Sequence, residues 1–180
     1  MQDRYGDAEI ELDKACKQEP DSPRVYLKLA SVLERGNKIE EALEAVERAV
    51  ELNPEMPEAH LRAGTICHVA NRTEEALAHF DKALEMSPDQ PAVLISLAEL
   101  YMSLGDLEKA EDYTNQVKEK APDTPALYQS LSKLKKFTVD DPDFQKMVEL
   151  EENSEHFGLE QASSLNFALF SAYEHIKDFD

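Results

Sequence analysis

The chain has 180 residues, enough for one sizeable domain or an array of small units. Its 38 acidic and 19 basic residues give a net charge of −19, which argues against nucleic acid and anionic membrane as direct partners, because both are polyanions. Hydrophobic residues make up 42%, so the chain can bury a core, and no run of 18 apolar residues is present to span a bilayer.

The prolines set the organisation. Pro20/Pro23, Pro54/Pro57, Pro88/Pro91 and Pro122/Pro125 are four pairs with the same internal spacing, and successive pairs are 34 residues apart. Only Pro142 stands outside the set. The first proline of a pair cannot continue a helix, since it lacks the N–H and clashes with the preceding turn. The second suits the first turn of the next helix. A fixed period of this length marks a repeat architecture.

Residues 3–19 read as the second helix of a repeat, with Tyr5, Ala8, Leu12 and Ala15 matching Ile39, Ala42, Val46 and Ala49 one period later. Ser22 is placed to cap a helix over Pro23–Arg35. A turn at Gly36-Asn37 leads to Ile39–Leu52. Pro57–Val69 and Thr73–Met86 follow around Asn71-Arg72, then Pro91–Ser103 and Leu107–Lys120 around Gly105-Asp106. Thr124 is placed to cap Pro125–Lys136. The period then breaks. Asp141 caps a helix from Pro142 that presents Phe144, Met147, Val148 and Leu150, and Asn153-Ser154 ends it. A last helix runs over residues 159–176, and Lys177-Asp178-Phe179-Asp180 reads as the turn after a first helix. Both ends are expected to fall inside a repeat, so that the end helices fray or pair with another molecule.

Columns in register with the prolines define the core. Ala8, Ala42, Ala76 and Ala110 match, as do Ala15, Ala49, Ala83 and Val117, and Leu12, Val46, Phe80 and Thr114. On the preceding helices Leu29, Ala63, Leu97 and Leu131 are followed by the small residues Ala30, Gly64, Ala98 and Ser132. Small residues at one recurring place mean that two helices approach closely there. Each unit is an antiparallel helix pair whose apolar face is buried by the next unit.

These residues resemble the tetratricopeptide repeat family over roughly residues 3–137. The resemblance is carried by Ala63-Gly64, Ala76, Phe80, Ala83 and Pro88 in one unit, and by Leu97-Ala98, Tyr101, Gly105-Asp106, Ala110 and Pro122 in the next. The aromatic position of the first helix is occupied by Tyr26, His60, Leu94 and Tyr128. The resemblance implies an all-α fold, a right-handed superhelical solenoid of antiparallel helix hairpins. The expected divisions are a half repeat over 1–20, three repeats over 21–122, and a degenerate repeat, an extra helix and the start of a further repeat over 123–180. The tail, Lys136-Phe137-Thr138-Val139-Asp140-Asp141-Pro142, Met147, Leu165-Asn166-Phe167-Ala168-Leu169 and Ala172-Tyr173-Glu174, resembles the end of the repeat region in bacterial tetratricopeptide-repeat sulfotransferases. That family's Gly-Lys is Phe170-Ser171 here. Its implication is a catalytic domain beyond residue 180.

No catalytic constellation, cofactor loop or metal set is evident. The five glycines stand alone, and Asp140-Asp141 and Glu151-Glu152 read as caps or solvated charges. His60, Cys67 and His68 can share a helix face, but too few ligands accompany them for a metal site. Cys16 and Cys67 read as reduced, buried core thiols. The expected working surface is the concave face lined by the first helices: Arg24, Leu27, Ser31, Glu34 and Arg35, then Glu58, Leu61, Thr65 and His68, then Ala92, Ile95, Glu99 and Met102. Leu27, Leu61 and Ile95 would form an apolar strip for a protein or peptide segment, or for a downstream domain of the same protein. Some members of the repeat family clamp a chaperone's carboxylate tail with Lys and Asn, but the matching Leu27, Ser31, Ala92 and Ser96 lack those groups. With no signal peptide at its start, a cytoplasmic location is expected.

Overall fold

The computed structural model describes residues 2–177, with side chains from Gly6 onward. Tyr5's side chain and the expected turn at Asp178–Asp180 lie outside the described residues. Among the described residues there are ten α-helices and no strand. They are α1 (Gln2–Gln18), α2 (Pro23–Arg35), α3 (Ile39–Leu52), α4 (Pro57–Val69), α5 (Thr73–Met86), α6 (Pro91–Ser103), α7 (Leu107–Lys120), α8 (Pro125–Leu134), α9 (Pro142–Glu152) and α10 (Leu159–Lys177). A short 3-10 turn at Ser154–His156 follows α9. The helices form two compact units that divide after Val93.

In the first unit α2 packs on α3 and α4 on α5, α3 joins the two pairs, and α1 packs on α2. Ala42, Ala49, Ala76 and Ala83 are fully buried, as are the larger Val46 and Phe80 between them. Gly64 shows why its position is small. A Cβ built there would stand 2.6 Å from the Phe80 ring, inside van der Waals contact. The absent side chain on α4 lets the ring on α5 fill the crossing.

The turns inside the pairs share one device. Asn37, Asn71 and Gly105 have positive φ (61°, 59° and 78°), again 34 residues apart. Each ends its helix in the left-handed conformation that Gly and Asn tolerate best. The next amide then reaches back into the last turn: Lys38 N–H to Leu33 O, Arg72 N–H to Cys67 O, and Asp106 N–H to Tyr101 O, at 2.8–3.0 Å. Otherwise unpaired helix-end carbonyls are satisfied, and the chain is aimed back antiparallel.

In the second unit α7 packs on α8, and α10 packs on α8 and α9. Tyr101 stacks on Tyr113 with ring centroids 5.7 Å apart. Thr114, the polar member of its core column, is buried with its hydroxyl donating to Ala110 O at 2.7 Å. α8 ends two residues before the expected Lys136. Lys135 turns extended there, and its ammonium binds Asp141 and Asp143 at 2.7–3.0 Å. The ion pairs replace a further helical turn. Asp141 caps α9 as expected, accepting from Asp143 N–H at 2.8 Å. Ser22 and Thr124 occupy the N-cap positions of α2 and α8, but neither side chain makes a capping hydrogen bond. Leu165, Ala168, Leu169 and Ala172 bury one face of α10, while Phe167, Phe170 and Tyr173 stay exposed. Tyr173 meets Phe144 edge-on at 5.4 Å.

Candidate protein-binding cleft

The first unit carries an open cleft of about 610 Å³ between α2 and α4, edged by Leu12 of α1. Of the residues expected on the working face it gathers Arg24, Leu27, Ser31, Arg35 and Glu58. It also gathers Lys28, Val32 and Arg62, which the sequence reading does not name. Arg24, Lys28, Ser31 and Arg35 stand at i, i+4, i+7 and i+11 of one helix, a single stripe along α2. Spacing alone would have marked Lys28 as part of it.

Leu27 corrects the expected apolar strip. It is only 6% exposed, so it shows an edge to the cleft and belongs mainly to the core. Leu61 and Ile95 are half-buried, and Ile95 lies in the second unit. The cleft's apolar lining is therefore Leu12, Leu27 and Val32.

The remaining expected positions divide by their contacts. Glu34 is half-buried and paired with Arg62 at 3.4 Å. Thr65 turns its hydroxyl back to Leu61 O at 2.9 Å. His68 is half-buried in the last turn of α4. Ala92 is exposed at the end of the first unit, whereas Glu99 and Met102 lie in the second. Glu99 is there engaged by Lys133 at 3.1 Å.

His60 has a role that sequence reading misses. It is 1% exposed, with Nε2 2.9 Å from Pro54 O and Nδ1 3.0 Å from His79 Nδ1. A carbonyl only accepts, so His60 Nε2 carries a proton. In neutral His60 the Nδ1 is then the acceptor, and His79 Nδ1–H is the donor. Burial, then His60 and Lys82, hold the His79 imidazole below its ordinary pKa, against a smaller opposing pull from Glu75. Two periods along the chain Tyr128 makes the same link, its hydroxyl donating to Pro122 O at 2.7 Å. Burial, with Asp143 nearby, pushes the Tyr128 phenol up to about 12. His60 and Tyr128, two members of one column, thus make the same link: each ties a first helix to the carbonyl of the proline that ended the previous one.

Cys67 is buried, but Cys16 is only partly buried, a correction to the expectation of two core thiols. Desolvation raises both thiols above their ordinary pKa. Among the described residues no three His, Cys, Asp or Glu side chains gather as a metal site.

Tetratricopeptide-repeat family models match residues 27–91 and 70–134, together more than half the chain. The chain is a tetratricopeptide-repeat protein. Its fold is similar to that of TTC0263, a thermophilic repeat protein of Thermus thermophilus, at 21% identity and a TM-score of 0.71, covering 93% of this chain and 91% of that one. It is also similar to MamA, at 16% identity and a TM-score of 0.62, covering 97% and 90%. A search of curated protein sequences finds no match. The helix pairs, the proline period and the small-residue crossings are those of a repeat array, and no described helix is long and apolar enough to cross a membrane.

Proposed function

We propose that this tetratricopeptide-repeat chain is a non-catalytic scaffold that holds a protein or peptide segment, or an attached domain, against the α2–α4 face. The observation that carries this reading is the cleft itself: five of the expected surface residues line one open space of about 610 Å³. The cleft is walled by helices already braced from behind by α3 and α5, so a ligand meets a preformed surface.

The test uses peptides selected from a random library on the intact protein. Leu61→Glu is expected to weaken their binding while leaving the melting temperature nearly unchanged, because Leu61 is half-buried on α4 between the cleft-lining Glu58 and Arg62. Unchanged binding would contradict the reading. A large fall in melting temperature would mean that Leu61 is core and that the working face lies elsewhere.

A second reading is that the chain is the arm of a sulfotransferase whose catalytic domain follows residue 180. Its support is the tail sequence around Phe137–Pro142 and Leu165–Glu174, together with the exposed Phe167 and Phe170 on α10, which offer an apolar face to a following element. Sequencing the native product beyond Asp180 tests it; a continuation without a phosphosulfate-binding loop would dispose of it.

A further inference from the structure

We infer that the segment held in the α2–α4 cleft is acidic, with carboxylates interleaved among apolar side chains. The inference rests on the scaffold reading above and adds the chemistry of the partner. It runs against the net charge of −19, which by itself points to basic partners.

Four cations, Arg24, Lys28, Arg35 and Arg62, line the cleft against one lining carboxylate, Glu58. In a chain with twice as many acids as bases, most described cations of this unit outside the cleft are paired, Lys17 and Lys82 being the exceptions. Lys14 pairs with Glu11, Lys38 with Glu9, Arg48 with Glu51, and Arg72 with Glu40. Arg62 is engaged by Glu34. The side chains of Arg24, Lys28 and Arg35 make no ion pair or hydrogen bond among the described residues. Three unpaired cations on one helical stripe, facing one cavity, form a local positive site on an acidic protein.

The rest of the surface selects the kind of anion. Repulsion from the distributed acids is felt by a long polyanion, which extends past the cleft by more than the screening length of about 8 Å. A short segment stays inside the favourable field, which low-dielectric walls concentrate. Arginine presents a planar fork that matches a carboxylate. Leu12, Leu27 and Val32 supply apolar contact between the cations. The site thus fits a peptide that alternates Glu or Asp with apolar residues.

The experiment compares three labelled synthetic peptides with the same leucines and with Glu, Gln or Lys between them. Binding to the full chain is read by fluorescence anisotropy, and its place by backbone amide shifts. The Glu peptide is expected to bind about tenfold more tightly than the Gln peptide at low salt. That preference should vanish near about 1 M salt, where the screening length falls to about 3 Å. Lys28→Glu with Arg35→Glu should abolish it without lowering the melting temperature. A Gln or Lys peptide that binds the cleft as well as the Glu peptide overturns the charge assignment and leaves the scaffold reading standing. So does a Glu preference that survives the double substitution. Tighter binding of single-stranded oligothymidylate than of the Glu peptide overturns the partner class. If none of the probes shifts amides of α2 or α4, the scaffold reading falls as well.

Discussion

Gly64 and Phe80 share one space: a Cβ at Gly64 would lie 2.6 Å from the ring, and Phe80 is fully buried. Gly64→Ala should therefore destabilise by about 1–3 kcal/mol through overpacking, offset in part by alanine's better helix propensity of about 1 kcal/mol. Adding Phe80→Leu should recover part of the loss. Urea unfolding of both single variants and the pair checks this. Losses that simply add would mean the two positions do not share the crossing. Ala76, also fully buried, gives a companion test in Ala76→Leu, expected to cost about 1–3 kcal/mol.

The left-handed turn at Asn71 gives a backbone test that touches no core contact. Asn71→Ala should cost up to about 1 kcal/mol, because it keeps the Cβ but loses the short polar side chain that eases this conformation, and Asn71→Gly, which removes the Cβ, should be neutral or stabilising. Melting temperatures of the two variants should move apart. Equal values would contradict the geometry of this turn.

The His60–His79 pair predicts a pH dependence with a definite sign. The folded pKa of His79 lies below its unfolded value, so the unfolded chain binds protons first as pH falls. Stability is then full above about pH 6.5, the ordinary histidine value, and is lost as pH falls through the folded pKa. His79→Gln should flatten this fall in a urea series. A slope that persists unchanged would place it on other groups.

A second, lower window belongs to Asp143. Burial would raise its carboxyl, but Lys118 and Lys135 outweigh that and hold it below the ordinary carboxylate value. Its contribution is present above about pH 3.9, the unfolded value, and is lost as pH drops through the lower folded pKa. Because both lysines are more than a third exposed, Asp143→Asn should cost about 1–2 kcal/mol, less than the roughly 3–5 of a fully buried pair.

Much of this fold is legible because prolines punctuate it. The bounds of α2 through α7 follow from Pro23, Pro57 and Pro91 and from the turns between them. α8 ends early because Lys135 finds Asp141 and Asp143, a tertiary contact that helix propensity does not encode. Leu27 reads as surface in the sequence because helical phase separates faces only coarsely, and α2 is covered on more than one side. The charged stripe is legible in the phase of α2, which picks out Arg24, Ser31 and Arg35 and, at the same spacing, Lys28, which the cleft then brings in with them. The His60–His79 contact joins two helices of a pair, a relation that columns 34 residues apart do not reveal.

The most direct test of the scaffold reading is an amide-shift map of the intact protein with a library-selected peptide. The account predicts shifts concentrated along Arg24, Lys28, Ser31 and Arg35 of α2 and Glu58 and Arg62 of α4. Shifts centred instead on the exposed acids of α3, such as Glu44, Glu47 and Glu51, would contradict it.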